Sequence, residues 1–450
     1  MISVLRIRNF KCLADTGELS VRPLTFLVGP NSSGKTSIVQ ALLLLRQTVE
    51  SRDLKNPLSI NGPYVQLGSY PDMLFMHDYK ARLQLEVQFA SRLTRLIPSG
   101  LVDVQRNSYG EVEFDVEFGY NKKTMQIFLQ KCHFLLLPAG LHFEIARTTG
   151  SKYHANFRNS DDKTNGSTTI PVSGVEKFYT ARGFGLKVGL TDQAFRLRRS
   201  LTLLANQLAR EIEDLFSGVF YIGPLREWPK RIYIATGEAP QDVGLKGELS
   251  VDVLWVQARR KATREKLLGK VNHWMREFGI GSKVELRRVG GNTYSVFFTD
   301  PNTRLNVNLA DVGFGASQIF PIVVEGFYAR DRAMLLVEQP EIHLHPRAQG
   351  TLGDLLIDIA TSGAGKTLLV ETHSEHVLSR IRRRVAEGKL SKDDVIIHYC
   401  EPSSSGTMVS QVEINSQGQY TGAGLPLGFF EEGYEESVEH FKALALQEHR

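Results

Sequence analysis

From residue 83 the chain alternates apolar and polar positions with a period of two: Leu83, Leu85, Val87, Phe89, then Val112, Phe114, Val116 and Phe118, interleaved with Glu111, Glu113, Asp115 and Glu117. Met125, Ile127 and Leu129, then Leu141, Phe143 and Ile145, continue it. This pattern predicts half-buried antiparallel strands with a solvated acidic face, and a hairpin turn at Gly119-Tyr120-Asn121-Lys122. Ile2 to Phe10 alternates in the same way, and Leu19-Ser20-Val21 follows Gly17, so the chain opens as a β-hairpin or meander. The period then changes. Over residues 192–216, Phe195, Leu197, Leu201, Leu204, Leu208, Ile212 and Leu215 share one side of a helix, and a second helical block spans residues 251–278. Neither keeps heptads long enough for an extended coiled-coil arm. Residues 159–169, NSDDKTNGSTT, predict a mobile loop.

Short continuous apolar runs mark a second kind of strand, buried on both faces. The first, Leu24-Thr25-Phe26-Leu27-Val28, runs into Gly29-Pro30-Asn31-Ser32-Ser33-Gly34-Lys35-Thr36 and the helical run that begins with Ser37. Strand, glycine-bearing loop and helix are the context that a phosphate-binding loop requires. Gly29 and Gly34 let the backbone curl so that its N–H groups and the positive helix end face an anion. Lys35 adds a charge at the β and γ phosphates, and the Thr36 hydroxyl is a Mg²⁺ ligand. ATP with Mg²⁺ is therefore the expected cofactor pair.

Composition changes the picture little. The 450 residues are 42% hydrophobic and 23% charged, inside the range of globular chains. A net charge of +5 permits nucleic-acid contact without requiring it. Arg259, Arg260, Lys261, Arg264, Lys266 and Lys270 make the second helical block basic, which suits either a solvated face or double-stranded DNA. Cys12, Cys132 and Cys400 are odd in number and far apart, which argues against a disulfide framework. With no apolar run long enough to span a bilayer, the expected location is the cytoplasm, with no membrane partner.

The run Leu5-Arg6-Ile7-Arg8-Asn9-Phe10-Lys11, together with the phosphate loop, resembles the start of ABC-type ATPases of the SMC, RecF and OLD group. Further segments carry the same resemblance in family order. Ala333-Met334-Leu335-Leu336-Val337 ends in Glu338-Gln339-Pro340-Glu341, followed by Leu344-His345-Pro346, and resembles the Walker B strand and its turn. Glu338 stands for the usual Mg²⁺-associated aspartate and Gln339 for the glutamate that orients the lytic water. Glutamine cannot take a proton, and losing a general base commonly costs about 10² to 10⁴ in rate, so slow hydrolysis is implied unless Glu341 supplies the carboxylate. His373, in Thr372-His373-Ser374, matches the switch histidine that senses the γ-phosphate. Gly313, Gly315 and Ser317 stand where the family signature caps the ATP of a second subunit, which implies a homodimer or higher oligomer through ATP-bridged heads. Gln66 is the nearest match to the glutamine that reaches Mg²⁺.

Phe220-Tyr221-Ile222-Gly223-Pro224-Leu225-Arg226 and the ending Gly428-Phe429-Phe430 resemble a bacterial ATPase subfamily with a small C-terminal domain, similar to the ATPase subunit of the Septu anti-phage system. The resemblance implies an α/β fold, an ABC-ATPase head with an antiparallel β subdomain and an inserted helical subdomain. The expected divisions are 1–80 (first part of the head), 81–190 (β-rich), 191–300 (helical), 301–400 (second part of the head) and 401–450 (C-terminal domain). Asp393-Asp394 is the only aspartate pair beyond His373, so no nuclease centre is expected, and a separately encoded effector, a nuclease, is the implied partner in defence against phage. The alternative is a DNA-stimulated ATPase in repair.

Overall fold

The structure is a computed structural model and describes residues 1–91, 110–137, 140–148, 152–159, 168–184 and 192–422. The Gly428-Phe429-Phe430 tail and most of the loop expected over 159–169 lie outside the described residues.

The apolar runs converge on one seven-stranded sheet, in the order Val219–Ile222, Met334–Glu338, Thr367–Glu371, Leu24–Val28, Val395–Ser403, Gly406–Ile414, Tyr420–Gly422. The first five are parallel and the last two are antiparallel additions. Every residue of the three central strands is buried, because alternate side chains feed two cores. Leu27, Leu336 and Leu369 pack with the helix Lys35–Glu50 and the antiparallel sheet. Phe26, Val337 and Val370 pack with the helices Phe314–Tyr328, Pro346–Thr361 and Glu375–Ala386. A strand covered on both faces must be apolar throughout, which is why these runs do not alternate.

The alternating segments form a ten-stranded antiparallel sheet that includes Leu83–Ser91, Gly110–Asn121, Gln126–Leu137 and Leu141–Arg147. Ile2–Phe10 pairs with Leu83–Ser91 in this sheet, outside the nucleotide sheet. Its acidic face is solvated and paired, with Asp115 to Lys131 at 2.8 Å and Glu86 to Arg8 at 2.7 Å. The hairpin turn falls later than the sequence suggests. Gly119 and Tyr120 stay in the strand, where a Cβ on Gly119 would meet the Phe128 ring at 2.5 Å, and the turn runs over 122–125. Met125, expected inside, is consequently 76% exposed.

The helix Asp192–Ser217 matches its pattern, but the second block is two helices, Ser250–Ala258 and Lys261–Glu277, broken at Arg259-Arg260. Val219–Ile222, grouped above with the helical part, is an edge strand of the nucleotide sheet, and residues 395–422 complete that sheet's other edge. A small third sheet of Tyr233–Ile234, Thr293–Thr299, Val284–Gly290 and Asn306–Asn308 had no clear signal in the sequence.

Candidate functional site

The loop between Val28 and Lys35 sits at the carboxyl end of the central strand, where parallel sheets bind ligands. Gly29 has φ 145° and Gly34 φ 93°. A Cβ on Gly29 would lie 2.2 Å from the Cys400 carbonyl oxygen, and one on Gly34 would lie 2.7 Å from Thr407 Oγ1 and 2.8 Å from Cys12 Sγ. Both positions therefore demand glycine for space as well as for φ. Ser32 also takes a left-handed φ of 61°. Asn31, Ser32, Ser33, Gly34, Lys35, Thr36 and Ser37 line a cleft of about 230 Å³ whose opposite wall is Gln339, Glu371 and His373. Pro30 stays exposed and contributes its carbonyl.

Lys35 Nζ donates to the Gly29 and Pro30 carbonyls at 3.0 and 2.7 Å, and to Ser33 Oγ at 3.4 Å. Burial lowers its pKa. Thr36 Oγ1 donates to Glu371 Oε2 at 3.0 Å. Glu371 lies in register with Glu338 on the neighbouring strand, so two carboxylates stand side by side at the strand ends. Burial, then the charge of Glu371, pushes Glu338 up to about 7, with Tyr221 hydrogen-bonded to it; burial also raises Glu371. A hydroxyl beside two raised carboxylates is a donor set suited to a hard divalent cation, whose charge would offset their repulsion.

Glu371 was missed in the sequence because it reads as the end of an apolar strand just before Thr372-His373; its only signal is its equivalence with Glu338 at the end of a second buried strand. Gln66 is not brought to the site. It is exposed, in a bridge with Asn61, and its segment is tied by Gln47 to the distal part of the helix, eleven residues and about 16 Å of rise beyond Thr36.

The Walker B turn is strained and clamped. Gln339 has φ 43°, and its N–H donates to the Glu371 carbonyl at 2.8 Å. Arg226, buried, donates to the carbonyls of Glu338 (2.9 Å) and Gln339 (3.2 Å) and to Gln318 Oε1 (3.3 Å) of the helix Phe314–Tyr328. Burial lowers its pKa to about 10. Glu341 does not line the cleft. Its Oε1 accepts the His373 N–H at 2.6 Å, while Oε2 is buried without a partner and burial raises the group's pKa. It positions His373, whose pKa is lowered by burial and then by Lys35.

Of the signature residues, Gly313 and Gly315 line a separate cavity of about 540 Å³ with His343, Leu344 and His345, and share no wall with the phosphate loop. Ser317 differs from expectation. It is 5% exposed and lines neither the phosphate-loop cleft nor the cavity of Gly313 and Gly315. Among the described residues no helix is long and apolar enough to cross a membrane.

Comparison with known proteins agrees with this site. Solved structures similar to the chain include an SMC head domain from Thermotoga maritima (11% identity, TM-score 0.38, covering 92% of this chain and 99% of that one). An SMC head with an extended coiled coil bound to the C-terminal domain of ScpA, derived from Pyrococcus furiosus, is 9% identical with TM-score 0.43, covering 92% and 96%. The OLD nuclease of Thermus scotoductus is 47% identical over 45 residues, which is 10% of this chain and 8% of that protein, so the match spans under a tenth of the relative's length. The AAA ATPase domain family matches residues 1–162 and 260–378, more than half of the chain. With a phosphate loop, a Walker B strand and a histidine-bearing strand on one parallel sheet, the chain belongs to the AAA ATPase domain family.

Proposed function

We propose that the chain is an ATP-binding, slowly hydrolysing switch, in which ATP closes a head-to-tail dimer that controls a separately encoded effector, a nuclease, in bacterial defence against phage. The observation that carries the slow step is the wall facing the phosphate loop: Gln339 stands at the water-orienting position, and Glu341 is engaged by the His373 N–H. Glutamine cannot take a proton, and Glu341 does not line the cleft. Thr36, Glu371 and Glu338 would hold magnesium, which would supply positive charge beside the phosphates. Lys35 exchanges its loop carbonyls for phosphate oxygens, and His373 sits opposite to sense the terminal phosphate. Dimer closure is supported by the separation of Gly313 and Gly315 from the phosphate loop, which leaves each loop to be capped by a second copy. The effector and its nuclease chemistry rest on the family resemblance and on the name of the OLD nuclease.

The test is single-turnover hydrolysis by the full chain beside Lys35→Ala, with phage plating of cells carrying each. Expected are ATP binding with slow turnover that stays measurably above that of Lys35→Ala, and loss of protection with Lys35→Ala. Fast turnover stimulated by duplex DNA would replace the switch with the repair-type ATPase. The basic block supports that alternative less than its sequence suggested, since Lys270 is bidentate on Asp358 at 2.8 and 2.9 Å and Arg259 lies over the Trp255 ring.

A further inference from the structure

At the end of the nucleotide sheet opposite the phosphate loop lies a cavity of about 720 Å³, within the range of small-molecule sites. Six cations line it, Arg46, Arg260, Lys266, Lys270, Arg330 and Lys366, against one carboxylate, Asp331. Two of the six are matched outside the cavity: Lys270 by Asp358, and Arg46 by Glu50 and Asp242 at 3.0 Å each. Arg330 and Lys366 donate to the carbonyls of Asp214 and Gly326, and among the described residues no ion pair holds Arg260 or Lys266.

Cations at this end have an ordinary task, since the helices Lys35–Glu50, Phe314–Tyr328 and Pro346–Thr361 all end here. Three helix ends supply about −1.5 charges. Arg260, Lys266, Arg330 and Lys366 less Asp331 leave +3, about twice what the helix ends neutralise. Two of the cations are also buried: Lys366 and Arg46 are each 3% exposed, and Arg46 Nη1 has no hydrogen-bond partner. A buried guanidinium N–H left without a partner is costly, and an anion in the cavity would satisfy it. The remaining wall sets the apolar and aromatic Phe220, Leu267, Phe327 and Tyr328 beside the polar Ser217, Gln241, Gln257 and Ser362.

We infer that this cavity binds a small phosphorylated compound carrying a flat ring, of the size of a nucleoside monophosphate, as a second ligand distinct from ATP at the phosphate loop. A concave, partly buried cluster suits a compact anion; a duplex backbone, which needs an exposed stripe, cannot reach Arg46 or Lys366. The site is placed to be felt at the ATP cleft. Lys366 immediately precedes the strand that ends in Glu371, Arg330 lies four residues before the strand that ends in Glu338, and Arg46 shares a helix with Lys35 and Thr36. Bound anion and bound ATP thus bias the same strands from opposite ends.

The test is calorimetric titration of AMP into the full chain carrying Lys35→Ala, with and without Arg260→Glu plus Lys266→Glu, both at exposed positions, with thermal melting to check that the fold is kept. One AMP per chain is expected, with affinity reduced at least tenfold by the pair of substitutions. No binding at about 5 mM AMP, weaker than about −3 kcal/mol, overturns the site; so does AMP affinity that the substitutions leave unchanged, or a loss confined to duplex DNA. ATP turnover of Arg260→Glu plus Lys266→Glu, with Lys35 intact and no AMP, reports separately on the switch and is expected to be unaltered.

Discussion

Removing the Arg226 clamp with Arg226→Met keeps the aliphatic bulk and takes away the guanidinium that joins the Walker B turn to the helix Phe314–Tyr328. Two opposing magnitudes decide the outcome. The carbonyls of Glu338 and Gln339 lose their donor, at about 1–3 kcal/mol each when buried. Against this, the depression of the guanidinium to about 10 means that holding it charged costs about 3 kcal/mol, which the substitution relieves. The net destabilisation is therefore small, about 1 kcal/mol and below 3. The functional loss is larger. Gln339 is held at φ 43°, a conformation costing about 1–3 kcal/mol, and without the clamp the turn relaxes and carries the side chain away from the cleft. Since about 1.4 kcal/mol is tenfold in rate, single-turnover hydrolysis should fall at least tenfold. Urea denaturation and single-turnover kinetics on one preparation give both quantities. A loss of more than about 4 kcal/mol, or a rate within twofold of the parent, would refute the reasoning.

Three further outcomes follow from the same geometry. Gly29→Ala drives a Cβ against the Cys400 carbonyl, a backbone atom that cannot swing aside, so it should abolish ATP binding and lower the melting temperature, whereas Gly17→Ala, where a Cβ has open space, should leave ATP binding intact. Gln339→Glu restores a proton acceptor opposite the phosphate loop and should raise single-turnover hydrolysis about tenfold or more. In EDTA, stability should fall as pH rises from about 5 to 8. Glu338, at about 7 folded against 4.5 unfolded, binds more protons in the native state across that window, so its contribution is complete below 4.5 and lost through 7. His373, lowered, acts in the opposite direction. Glu338→Gln should flatten the slope of melting temperature against pH, and an unchanged slope would remove Glu338 as its source.

The parts of the site that lie within one local segment were legible in the sequence: the glycine loop by its flanking strand and helix, Glu338 and His373 by the buried runs before them. What sequence could not convey was which distant segments meet. Arg226 stands in a conspicuous Gly-Pro turn, yet its partners lie 92 to 113 residues away. Glu371 becomes a site residue only through the register that sets it beside Glu338. Gln66 looked suitable as an isolated polar residue after the first helix, but Gln47 fixes its loop at the wrong end of that helix. Ser317 failed for a simpler reason, helical phase, since a residue four beyond the N-cap Gly313 can turn back to the core.

The strand order of the nucleotide sheet also bears on the timing of synthesis. Leu24–Val28 is flanked by Thr367–Glu371 and Val395–Ser403, so its strand gains its first sheet neighbour only some 340 residues after it has been made and its second only after some 370. At roughly 5–20 residues per second that is a wait of about 20–70 s, during which the loop strand has only segments outside its sheet to pack against. A chain interrupted before residue 395 would lack the strand whose Cys400 carbonyl closes behind Gly29. Nucleotide loading thereby becomes a test that only a polypeptide made past residue 400 passes, and a shorter one cannot take up the ligand that would set it.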